Sequence, residues 1–251
     1  MKSSIDRQGD FAAVGWAQGR SHHTYEDRFR LLTSYIPLVA TSGRGDLVAV
    51  FDGVGSAPQG MQAAQALADA LLGFYTVARP VVGSSGQACG LSENELLEDL
   101  GARLLQASAA ILRWGFIEGT QRPCGAAAGS VAWIPHGQST AHVLHAGDTQ
   151  VLRLTDAGAL RVLSTMDQGP GGELLNYFGA QDLVLRHSTC AISPGDRLVL
   201  FSDGVSKGMS HQQITVLSAR CADPATMCKA ALEKCRQSTS DDITMVVYEV
   251  E

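Results

Sequence analysis

The 251-residue chain has no apolar run near the roughly 18 residues that cross a bilayer, and its first ten residues, MKSSIDRQGD, are polar with no signal-like core. It has no dense cluster of Lys or Arg, and its formal net charge is −6. A basic face for a nucleic-acid backbone is therefore missing. The expected setting is soluble and cytoplasmic, with neither nucleic acid nor membrane as partner. None of the six cysteines (Cys89, Cys124, Cys190, Cys221, Cys228, Cys235) forms a Cys-x-x-Cys pair, which removes zinc-knuckle spacing. None is followed six residues later by Arg, which removes a thiol nucleophile with a phosphate cradle. Gly-x4-Gly-Lys is also absent, and with it the simplest P-loop signal.

What remains is ordinary globular material, 45% hydrophobic and 18% charged, well clear of the disordered range. No composition break divides it, so one domain over residues 1–251 is expected. Mixed apolar and β-branched stretches at 11–19, 27–40 and 46–51 read as strands. MQAAQALADALLGFYTVA reads as a helix opened near Pro58, and 81–90 as a loop. Ser92 and Glu95 form a capping box before a long helix running to about Trp114, with Leu96, Leu97, Leu100, Leu104, Ala107 and Ile111 on one stripe. Three short strands follow between 140 and 163, joined at Gly147-Asp148 and Asp156-Ala157-Gly158. A glycine-rich excursion covers 165–187. A strand over 197–202, a helix capped by Asp223-Pro224 and running to about Gln237, and a final strand ITMVVYEV complete the chain. The order suits a layered α+β domain rather than alternating βαβ units. The three cysteines at seven-residue spacing read as buried small apolar residues.

Two apolar runs, LVAVFDGVGS and RLVLFSDGVSKG, both end in Asp-Gly. One such dipeptide is only a turn. Here Asp52, Asp203 and the Asp241-Asp242 pair all stand where apolar runs stop or start, as do Glu26-Asp27 and Asp148. If those strand ends share one edge, several carboxylates converge, and close like charges force protonation unless a cation neutralises them. Oxygen donors without a Cys/His set suit Mg²⁺ or Mn²⁺. Two such ions could make hydroxide available near neutral pH and neutralise a phosphoryl group under attack. The glycine after each Asp would let backbone approach closely.

The ordered segments YEDRF (25–29), VFDGVGS (50–56), AGSVAWI (128–134), HAGDTQVLRL (145–154), PGDRLVLFSDGV (194–205) and SDDITMVV (240–247) resemble the metal-dependent protein serine/threonine phosphatases of type 2C, especially compact bacterial members. The resemblance implies a four-layer α-β-β-α sandwich, two antiparallel sheets flanked by helices. It implies hydrolysis of phosphoserine and phosphothreonine by a water activated at a dinuclear Mn/Mg centre, without a phosphoenzyme. By the same resemblance, Asp52 bridges the ions, Gly53 offers its carbonyl, Asp203 and Asp241 (rather than Asp242) hold the other ion, and Glu26 and Asp27 form the outer shell. Asp148 then belongs to a third, weaker site shared with Asp203, and the excursion 165–187 is a flap beside the centre. A phosphoprotein substrate and an opposing Ser/Thr kinase are implied as partners.

The chain departs from the family pattern at three places. His22 stands where a phosphate-gripping Arg is usual, so the grip falls to Arg20, Arg28 or protonated His22. Tyr25 replaces an Asn, and Gly55-Ser56-Ala57 replaces Gly-Gly-His. Adjacent His22 and His23 on a strand would point to opposite faces, as would His142 and His145, which disfavours them as metal pairs. Two other functions stay open: a fold-keeping module that binds phosphoproteins with little or no catalysis, and a phosphatase for small phosphate esters.

Overall fold

The computed structural model describes residues 2–76 and 90–251. The loop expected at 81–90 lies outside these residues except for Gly90, as do Cys89 and the end of the helix expected over 61–78.

Two antiparallel sheets stand face to face. The larger has the order β1 (Ser3–Gln8), β2 (Ala12–Ala17), β11 (Ile243–Glu249), β10 (Arg197–Phe201), β7 (Gln150–Leu154) and β8 (Leu160–Val162). The smaller has the order β3 (Arg28–Leu32), β4 (Asp46–Gly53), β5 (Ala127–Ile134), β6 (Thr140–Ala146) and β9 (Arg186–Ala191). Helices α1 (Pro37–Ser42), α2 (Gly60–Ala70), α3 (Leu72–Thr76) and α4 (Glu93–Leu112) cover the smaller sheet, and α5 (Asp203–Gly208), α6 (His211–Arg220) and α7 (Pro224–Ser238) cover the larger.

The period of two along each strand builds this layering. On β4, Leu47, Ala49 and Phe51 pack under the helices with Trp133 and Phe74, while Val48 and Val50 pack between the sheets. On β10, Val199 and Phe201 meet α7, while Leu198 and Leu200 turn inward. Cys228 and Cys235 are buried small residues in the α7 core, and Cys221 lies at its margin. The expected four-layer sandwich is thus the observed fold.

The Ser92–Glu95 capping box forms with both reciprocal bonds, and Asp223 caps α7 by accepting from Thr226 N–H at 2.8 Å. The strand expected over 27–40 stops at Leu32; Pro37 then opens α1 from its first turn, where its missing N–H costs nothing. The helix expected over 61–78 breaks at Leu71 into α2 and α3. β6 and β7 were expected as neighbours, but they lie in different sheets, so Gly147-Asp148-Thr149 crosses from one sheet to the other.

A candidate dimetal centre

One end of the sandwich collects the acidic residues. Asp52 is the next inward position after Val48 and Val50, at the open end of the core between the sheets. Asp203 follows β10 and begins α5. Asp241 precedes β11, which pairs with β10, and Asp148 sits in the crossing from β6 to β7. Asp52, Gly53, Asp148, Asp203, Asp241 and His22 line a single cleft of about 710 Å³.

The glycines beside the aspartates explain much of this convergence. A Cβ on Gly53 would lie 2.6 Å from the backbone of Gly60, so only glycine lets the end of β4 touch the start of α2. A Cβ on Gly204 would collide with the carbonyl of Asp242, so Gly204 lets the start of α5 lie against the Asp241-Asp242 turn. Close approach of neighbouring backbone, rather than a positive φ, is what both positions require.

Asp242 has a different task from Asp241. It is buried and accepts Gly19 N–H and Glu26 N–H, each at 2.6 Å. It fastens the loop before β3, while Asp241 faces the cleft. Asp27 is also buried and accepts the Thr244 hydroxyl at 2.5 Å; Thr244 in turn shares a short hydrogen bond with the Tyr25 hydroxyl. Glu26 stands beside Gly55, and its Oε2 is buried without a partner.

Burial raises several of these acids, and neighbouring carboxylates add to it. Burial pushes Asp52 well above the usual carboxylate range, and the charges of Asp27, Asp203, Asp148 and Asp241 add to it. Burial carries Asp27 to about 7 against the opposing bond from Thr244. Asp148 and Glu26 are raised by burial too. Asp203 is raised by burial despite Lys207, whose Nζ lies 2.6 Å from Asp203 Oδ2 and 2.5 Å from Asp241 Oδ2.

The donor set fits hard divalent cations: clustered carboxylate oxygens, an orphaned buried carboxylate oxygen on Glu26, and no thiolate in the cleft. As the side chains lie, no three His, Cys, Asp or Glu among the described residues surround one point. Lys207 stands between two of them instead. It was missed from the sequence, although its signal was there: Asp203 and Lys207 are four residues apart, one turn on the helix that follows Ser202.

The expected phosphate-holding residues fare unevenly. Arg20 is exposed in the turn after β2 and is not among the residues lining the cleft, because that turn is pinned by Ser21 N–H to the Ser240 carbonyl. Arg28 is spent on Gln65 and on the carbonyls of Tyr25 and Asp27. His22 reaches the cleft, with Nε2 3.2 Å from Asp241 and Nδ1 3.2 Å from Asp242. Burial lowers its pKa, but these acids outweigh burial and leave it raised. His22 and His23 lie in a loop rather than a strand, so alternation does not govern them. His142 and His145 do diverge on β6: His142 meets Glu93 of α4 at 2.7 Å, and His145 Nδ1 meets Ser130 at 2.9 Å.

The 165–187 excursion is tethered rather than free. Asp167 accepts from Arg186 and Asn176, each at 2.7 Å, and Phe178 is buried against Phe51. Gln168 donates to Asp148 at 2.6 Å, while Gly172, Glu173, Leu174 and Tyr177 form a wall of the cleft. Its last two residues, Arg186 and His187, belong to β9.

A family model described as Protein phosphatase 2C matches residues 26–237. The chain belongs to the protein phosphatase 2C family. Solved structures agree in fold. PppA, described as a key regulatory component of T6SS in Pseudomonas aeruginosa, superposes with TM-score 0.74 at 19% identity, covering 95% of this chain and 97% of its own. The Mycobacterium tuberculosis serine/threonine phosphatase PstP/Ppp gives TM-score 0.71 at 19% identity, covering 96% and 98%. RsbX, solved in complex with magnesium, gives TM-score 0.67 at 13% identity over 100% of both chains. No curated protein matches the sequence. At these identities the structural likeness establishes the 2C fold alone.

Proposed function

We propose that this 2C-family protein hydrolyses phosphoserine and phosphothreonine in proteins, using two Mn²⁺ or Mg²⁺ ions held by Asp52, the Gly53 carbonyl, Asp203 and Asp241. The observation that carries this reading is the gathering of Asp52, Asp203, Asp241 and Asp148 on one cleft in a chain that matches the 2C family model. When bound, the ions would supply a water of lowered pKa and neutralise charge on the phosphoryl group.

The chain's own residues supply the rest. Asp52 feels the charges of four other carboxylates, Asp27, Asp203, Asp148 and Asp241, and would be the acid shared by both ions. Asp148, held by Gln168, offers a weaker third position with Asp203. The free Oε2 of Glu26 can accept from an ordered water, and Asp27 is fixed behind it by Thr244. The flap wall at Gly172–Leu174 narrows the entrance and is read as the surface that meets the protein substrate. The reading implies a phosphoprotein made by a Ser/Thr kinase, with the cytoplasm as the compartment; no helix among the described residues is long and apolar enough to cross a membrane.

The test is turnover of a phosphothreonine peptide and of an aryl phosphate with Mn²⁺, repeated with chelator. Peptide turnover that chelator stops is the expected result. Peptide binding without turnover would assign a phosphoprotein-binding module instead, and turnover of the aryl ester alone a small-ester phosphatase.

A further inference from the structure

Lys207 Nζ touches both Asp203 Oδ2 and Asp241 Oδ2, at 2.6 and 2.5 Å, and its side chain is still half exposed. Its ammonium therefore spans the gap between the end of β10 and the start of β11. No other Lys or Arg lines the cleft among the described residues. Arg28 is committed to three bonds elsewhere, and Arg20 stands outside. A phosphate ester entering this cleft brings between about −1.5 and −2 of charge to a wall of aspartates. Among permanently charged side chains, only Lys207 is placed to meet it.

The two partners of Lys207 are also the carboxylates assigned to a divalent ion, and an ammonium this close cannot share those oxygens with one. Cations a few ångströms apart repel, and the ion carries twice the charge. The four-carbon stem is rooted on α5 at the cleft edge, so the head can move several ångströms without any backbone change. We propose that Lys207 is an exchangeable cation: it holds Asp203 and Asp241 together before a divalent ion arrives, yields them on loading, and then binds the substrate's phosphate. This deepens the proposed function and rests on it. It also accounts for a histidine rather than an arginine at position 22, since the phosphate is met from the α5 side of the cleft.

The two roles predict opposite effects of one substitution. Lys207→Met, stripped with chelator and titrated calorimetrically with Mn²⁺, is expected to bind the metal about tenfold more tightly than wild type, because two charge pairs no longer compete. Once loaded with Mn²⁺, the same variant is expected to bind inorganic phosphate about tenfold more weakly, while Lys207→Arg retains phosphate binding. Should Lys207→Met not fold, as judged from its melting curve, Lys207→Gln makes the same comparison. Unchanged Mn²⁺ affinity, unchanged phosphate affinity, or a loss of both would each overturn the exchange. Failure of wild type and variant alike to bind Mn²⁺ would overturn the metal reading and this inference together. Opposite shifts in a protein that turns over no phosphopeptide would keep the exchange and remove the phosphatase reading.

Discussion

The strand β4 carries an aspartate at each end of its inward face. Asp46 and Asp52 are six residues apart, so both point between the sheets, with Val48 and Val50 between them. Asp46 closes the core at one end. It accepts the Tyr248 hydroxyl at 2.9 Å and the Ser34 N–H at 2.7 Å, so burial raises it against two opposing bonds. Asp52 faces the opposite end, where burial and four neighbouring carboxylates raise it together. One site is complete within the protein; the other has a surplus of acceptors that a cation would complete. The same residue on the same face of one strand is hydrogen-bonded within the fold or left among other acceptors according to whether the fold supplies donors.

The largest expected effect lies at the acceptor-rich end. Asp52→Asn should reduce peptide turnover on the order of 10³-fold or more, because it removes the group assigned to both ions. The metal-free variant should melt at the wild-type temperature or about 2–4 °C higher, because one like charge has left the cluster. Turnover within a few-fold of wild type would remove the bridging role.

Asp46→Ala should do the reverse. It leaves the Tyr248 hydroxyl and the Ser34 N–H without partners, at a cost of about 1–3 kcal/mol in urea unfolding, and kcat should not change. A kcat that fell with stability intact would break the division between the two ends.

The pH dependence of the chelated protein sharpens the contrast. Asp27 is held at about 7, against 3.8 for an ordinary aspartate. The folded state therefore keeps a proton that the unfolded chain has released, and stability falls as pH rises between about 4 and 7. The contribution should be on the order of 2–4 kcal/mol across that window. It should shrink most in Asp27→Asn and less in Asp46→Asn, and weaken or reverse with saturating Mn²⁺, since a cation favours the ionised acids of the cleft. Unfolding curves at the two ends of the window, with and without metal, measure it.

Much of this arrangement was legible in the sequence because it depends on where apolar runs stop. Asp52, Asp203 and Asp241 mark strand ends, and antiparallel pairing of the right strands brings those ends together. What escaped has physical causes. β1 and β9 are edge strands with polar, largely exposed residues, so they lack the apolar alternation that reveals a central strand. Helix α6 carries a Ser210–Gln213 capping box that could have been read but has only Ile214 fully buried to mark a stripe. Lys207 escaped with the helix that carries it: without α5, the four-residue spacing from Asp203 has no meaning. Arg20 was expected at the cleft from its nearness in sequence to His22, and a pinned turn separates them.

The smallest expected effects compare two phenols. Tyr248 donates to Asp46, and Tyr25 bonds Thr244, which bonds Asp27. Each loses one hydrogen bond when changed to Phe, so each variant should lose about 1 kcal/mol in urea unfolding. Their activities should differ. Tyr248→Phe acts only on the closed end and should keep the wild-type pH–rate profile. Tyr25→Phe loosens the hydroxyl that fixes Asp27, so its profile should shift on the limb that reports this acid, with kcat lowered a few-fold. Identical profiles for the two variants would mean that Asp27, like Asp46, serves the fold alone, and the outer shell of the centre would then shrink to Glu26.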